Sequence, residues 1–110
     1  MSMVHKLIDV TTSAADVTSA IIYPQGHDDE SGIYQVTCTA GDITNVYIYG
    51  RLGSDQTWHQ VAASGAVDVD TGNSPEAGVG VVSAVITIYP QMYVELDVGS
   101  DPSCVVSIME

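Results

Sequence analysis

Positive charge is almost missing from this chain. Lys6 and Arg51 are its only basic residues, against fourteen acidic ones, and the formal charge is -12 over 110 residues. Such a surface repels a phosphate backbone or an anionic bilayer, so neither nucleic acid nor membrane is an expected partner. Cysteine is nearly as scarce: Cys38 and Cys104 are too few for a disulfide scaffold, or for a zinc centre of about four closely spaced ligands. No segment carries a sustained helical apolar stripe, so little or no helix is expected. In the N-terminal stretch MSMVHKLIDV only Leu7 and Ile8 form an apolar run before Asp9. That is too short for the core of a secretion signal, and synthesis and retention in a cytoplasm are expected. Catalytic motifs are also wanting: there is no G-x-S-x-G, no H-E-x-x-H and no phosphate-cradling glycine loop, and His5, His27 and His59 stand apart from any nucleophile motif. No catalytic residue, cofactor or enzymatic activity is expected.

What the chain does have is the composition of a β-protein. Charged residues are only 15% of it, so Ser, Thr, Asn, Gln and Gly must supply much of the polar surface, unlike a disordered acidic tail. The longest apolar run, Val79 to Val98, reads as a pair of strands bent at Pro90. Its first half is apolar on both faces and predicts a strand buried on both sides. In its second half Met92, Val94, Leu96 and Val98 alternate with Gln91, Tyr93, Glu95 and Asp97, which predicts one wet face. Pro90, the two acids and the β-branched residues argue against a membrane span.

Earlier in the chain, Met3 to Val10 and Val17 to Tyr23 read as strands, the second stopped by Pro24, and residues 24–32 as an exposed acidic loop. Ile33 to Ala40 and Ile43 to Leu52 flank Gly41 and Asp42, whose turn chemistry predicts a hairpin. QTWHQVA, around Trp58 and Val61, is a further strand, Ala66 to Val69 a short one and Ser103 to Met109 the last. The expectation is one all-β domain over residues 1–110, a β-sandwich or jelly roll of eight or nine short antiparallel strands, with a small barrel as second choice. Cys38 and Cys104 fall on apolar phases of their strands, which predicts buried free thiols; the alternative is a disulfide pinning two sheets.

Two segments invite a metal reading. His27, Asp28, Asp29 and Glu30 place an imidazole and three carboxylates in a row, but neighbouring loop residues point in different directions and do not converge on one cation. Asp68 to Asn73 resembles the start of a calcium loop, yet Gly72 comes one place early and no glutamate stands at the twelfth position. No metal site is expected.

The fourth strand carries the more informative surface. Asn45, Tyr47, Tyr49 and Arg51 share its outward row, with Val46, Ile48 and Leu52 pointing the other way. Two tyrosines and one of two basic residues on one exposed face, with Trp58 nearby, match what protein interfaces favour at their centres. Tyr47, Tyr49, Arg51 and Trp58 are therefore the candidate protein-binding residues. Cross-strand tyrosine packing on an ordinary wet sheet and a carbohydrate platform are the other readings of the same pattern.

The phrase GRLGSDQTWHQV, followed by an apolar strand ending IYPQMYVEL in a short acidic β-protein, resembles the small head-associated and decoration proteins of tailed bacteriophages over roughly residues 46–96. The resemblance implies a non-enzymatic virion component, assembled in the host cytoplasm, that binds the major capsid protein or another virion protein, often as a homo-oligomer. No functional residue carries over from it. The alternative is a carbohydrate- or receptor-binding sandwich within a larger assembly. The order Cys38, Trp58, Cys104 is superficially similar to an immunoglobulin domain, but Pro102 stands where that pattern has a tyrosine, which supports a sandwich and not that family.

Overall fold

The computed structural model describes residues 4–24, 31–72, 74 and 76–110. Nine strands form two antiparallel sheets, and there is no helix among the described residues. They are β1 (Val4–Val10), β2 (Val17–Thr18), β3 (Ser31–Ala40), β4 (Asp42–Arg51), β5 (His59–Ala63), β6 (Val67–Asp68), β7 (Gly80–Thr87), β8 (Gln91–Val98) and β9 (Ser103–Met109). One sheet, here sheet A, has the order β1-β9-β3-β7; the other, sheet B, has the order β2-β8-β4-β5, with β6 paired to β4. With the two-residue β6 set aside, the chain alternates between sheets at every step except β4 to β5, which pair in sheet B, and this is the order of a jelly roll, two Greek keys closed on one another.

Period-two alternation builds the core. Tyr34, Val36 and Cys38 of β3 and Cys104, Val106 and Ile108 of β9 point inward from sheet A; Met92, Val94 and Leu96 of β8 answer from sheet B. The inward residues of β4 are Ile43, Val46 and Ile48, where the first spacing is three rather than two. A register shift against β8 between Ile43 and Asn45 absorbs the extra residue and keeps all three inside. The same device in β1, between Lys6 and Ile8, turns both His5 and Ile8 toward the inward residues of β9. At the end of β4 the inner position is Gly50. An added Cβ there would meet the Tyr89 ring at 2.8 Å, so the glycine makes room for a tyrosine that closes the open end of the core.

Several expectations need correction. β3 and β4 do not form a hairpin: they lie in different sheets, and Gly41, with φ of 66°, carries the chain across the sandwich. Gly-Asp serves this crossing as well as a hairpin, because both need a left-handed residue. The bend at Pro90 also separates sheets, with β7 in A and β8 in B. β7 is not buried on both sides. It is the edge of sheet A, and Val85 is 70% exposed. Leu52 lies just past the end of β4 and is 64% exposed, so it does not share the inward row of Val46 and Ile48. The strand expected from Val17 to Tyr23 shrinks to Val17–Thr18 plus a lone bridge of Ile22 to Met92. Between them the Ser19 hydroxyl accepts the Val94 N–H, a side chain standing in for the ladder.

Cys38 and Cys104 are both free and buried, as expected. They sit directly opposite each other in one sheet, across the β3–β9 ladder, so a link between the two sheets is not what their positions offer.

Candidate functional site

The outward row of β4 forms as the alternation predicts, and the neighbouring strands complete it. Tyr47, Tyr49 and Arg51 are half-buried on the outer face of sheet B. The register puts Glu95 beside Tyr47, Tyr93 beside Tyr49 and Gln91 beside Arg51 on β8; on β5 it puts Ala63 beside Tyr47 and Gln60 beside Tyr49. Trp58 lies one residue before β5, next to the pair formed by His59 and Gly50, and so comes alongside Arg51.

These side chains hold one another. Tyr49 and Tyr93 stack with centroids 5.0 Å apart, Tyr47 leans on Tyr49 at 6.4 Å, and Trp58 meets Tyr93 edge-on at 4.7 Å. Arg51 lies over the Trp58 ring, its guanidinium carbon 4.0 Å from the centroid. The guanidinium donates through Nε to the Gln91 side-chain oxygen at 2.7 Å, and Nη1 donates to the Gln56 carbonyl at 3.4 Å. A long flexible cation is thereby fixed in one orientation over a rigid aromatic floor. Partial burial raises the Tyr49 hydroxyl above the ordinary tyrosine range, with its hydrogen bond to the Glu95 carboxylate and that group's charge adding to the effect. Tyr93 is raised by burial first and by Glu95 second. Both stay protonated donors at neutral pH.

Structure thus brings together all four residues singled out from the sequence, and adds a fifth, Tyr93. Its wet-face position on β8 is readable in the alternation, but its place beside Tyr49 depends on the β4–β8 pairing, which joins strands far apart in sequence. Glu95 and Asp97 share this outer face, and each is half-exposed. Four of the seven Tyr and Trp residues of the chain therefore gather here.

The remaining candidates fall elsewhere. Residues 27–30 lie outside the described residues. In the Asp68 turn the carboxylate accepts the Asp70 N–H at 2.9 Å and the Thr71 hydroxyl at 2.9 Å. These two bonds, in that order, hold its pKa below the ordinary range, so the group serves its own turn. His59 packs edge-on against Tyr89 at 4.9 Å, on the opposite side of sheet B from Tyr49. His5 bonds Glu110 at 2.5 Å, tying β1 to the end of the chain. No protein-family model matches the chain, and no curated protein matches it.

Proposed function

We propose that the protein is a non-enzymatic virion structural protein, a capsid decoration protein that binds the phage head through the outer face of sheet B. One observation carries the choice of face: Arg51, one of two cations in a chain of charge -12, is clamped over Trp58, whose ring in turn packs against the stacked Tyr93 and Tyr49. Aromatic and arginine side chains dominate the energetics of protein interfaces, and side chains already fixed before binding lose little entropy on docking. The capsid as partner comes from the resemblance to phage decoration proteins, and the jelly roll is an architecture that virion proteins use among others.

The carbohydrate reading draws on the same aromatics. It is less well served, because Tyr49 and Tyr93 stack on each other and Arg51 covers Trp58, so ring faces that a sugar would need are already engaged. Replacing Tyr49 and Arg51 together by alanine tests the face. The double variant is expected to melt close to the parent while its dissociation constant for purified heads lacking the protein rises about thirtyfold or more, the equivalent of about 2 kcal/mol. Unchanged head binding by the folded variant would remove this face from the account. If the chain fails to copurify with a capsid protein in virions, the decoration role falls.

A further inference from the structure

β7 is a sheet edge with the composition of an interior strand. Its eight residues, GVVSAVIT, contain no charge and no proline, and its ladder with β3 runs from Ser31 opposite Thr87 to Cys38 opposite Gly80 without a register shift. Free edges normally carry lysine, proline, a bulge or very short length as protection against pairing. The other edges of this molecule have such protection. β1 carries Lys6, Asp9 and a bulge; β2 is two residues long; β5 is five residues long with a shift against β4.

Part of the β7 edge is capped from within. The Val81 N–H donates to the Thr71 carbonyl at 2.7 Å, which shows that Val81 turns its backbone groups away from β3. By the two-residue period, Ser83, Val85 and Thr87 do the same. Among the described residues no backbone hydrogen bond outside the sheets engages these three.

The outer face of sheet A continues from this edge as an apolar row. The registers place Val85, Ile33, Met109 and Val4 side by side across all four strands. Val85 is 70% exposed, Val4 62% and Ile33 39%. The next row, Ser83, Gln35, Ser107 and Lys6, is polar, with its one charge on the far strand β1, and β7 and the stretch of β3 paired to it carry no charge at all.

We infer that β7 pairs antiparallel with β7 of a second copy of this chain, about a two-fold axis at Val85, joining two four-stranded sheets into one. This register matches Val85 with its own copy, Ser83 with Thr87 and Thr87 with Ser83, using the three uncapped residues and leaving the Val81–Thr71 bond intact. It supplies about six interchain hydrogen bonds. It also runs the apolar row of one copy straight into that of the other, which a register centred on Ser83 would not do. Charge favours a second copy as occupant. Two chains of charge -12 can approach only where neither presents an acid, and the paired strands β3 and β7 are such a place, whereas a basic partner would find no carboxylate on them. The proposal is independent of the sheet B face.

Sedimentation at rising concentration and a directed crosslink test it. The parent is expected to move from 11.6 kDa toward twice that mass, while Val85→Lys and Ser83→Pro, both at exposed positions whose backbone groups point away from β3, keep their melting temperature and remain monomeric. Val85→Cys is expected to form an intermolecular disulfide on mild oxidation, because directly opposed residues of a hydrogen-bonded pair lie about 5.5 Å apart at Cα, whereas Leu52→Cys, exposed but remote from the edge, does not. A monomer at all concentrations, a dimer unaffected by both edge variants, or a dimer lost in the Tyr49→Ala, Arg51→Ala protein would each overturn the assignment. Parent chains that stay monomeric alone and bind an unrelated extended peptide along β7 would overturn it in favour of a peptide partner.

Discussion

Cys38 and Cys104 face each other inside sheet A, each shielded from water by the opposite sheet. Burial pushes the Cys104 thiol from its ordinary 9.0 up to about 11, and its neighbour Cys38 and then Asp9 oppose ionisation further. Burial is also the first cause of the raised pKa at Cys38. A thiol whose pKa is higher in the folded than in the unfolded chain favours the fold while it stays neutral. Its contribution is complete below pH 9 and is lost as pH climbs toward 11. The melting temperature is therefore expected to fall over that interval, and Cys104→Ala to fall less steeply, the difference amounting to about 3 kcal/mol. Tyr34, Tyr49 and Tyr93 are raised as well and add to the alkaline loss in both proteins, so the comparison between them isolates the thiol. Equal slopes would show that Cys104 is not the group responsible. Thiol labelling checks the burial itself, and it should be slow in the native protein and complete in denaturant without reductant.

At the level of the elements, the turn at Gly41 decides which sheet the second half of the molecule joins. Its φ of 66° suits glycine, and a Cβ there would overlap the carbonyl of Ser100. The same corner is held by Asp42, whose carboxylate accepts the Ser100 N–H at 2.6 Å while its carbonyl accepts the Gly99 N–H at 3.0 Å. Gly41→Ala is expected to lose about 1–3 kcal/mol in urea unfolding; a loss within a few tenths would mean the corner relaxes freely. This is also where sequence reading reaches its limit. Strand existence and inward phase were legible almost throughout, as in Tyr34, Val36 and Cys38 or Ser103 to Met109, because alternation is a local property. Pairing was not. Gly41 and Asp42 have the chemistry of a hairpin and of a crossing alike, and only the partners, β9 for one strand and β8 for the next, separate the two. The candidate site divides the same way: Tyr47, Tyr49 and Arg51 share a face by periodicity within one strand, and Trp58 lies near them along the chain, whereas Tyr93 joins them through a ladder with a distant strand. β7 misleads for a related reason, since two apolar faces signify a buried strand only where both faces are covered, and Val85 stands exposed on the outer face of sheet A.

Across the whole molecule, consecutive strands seldom pair. β4 and β5 are neighbours both in sequence and in a sheet, but β1 pairs with β9, β3 with β9 and β7, and β2 and β4 both pair with β8. Each of these ladders closes a long loop, and the entropy of closure is lost before any contact compensates it. Refolding followed by Trp58 fluorescence is expected to take milliseconds to seconds rather than microseconds. A microsecond phase carrying the full amplitude would contradict that topology. The interleaving has a further consequence during synthesis. β9 lies between β1 and β3, and Val4 finds its partner in Met109. On the ribosome sheet A thus remains two separate halves until the last strand has left the exit tunnel, and the uncharged β7 strand emerges before the β9 strand that completes its sheet. Sheet A has in this sense a keystone, the seven-residue β9, for which the earlier strands wait.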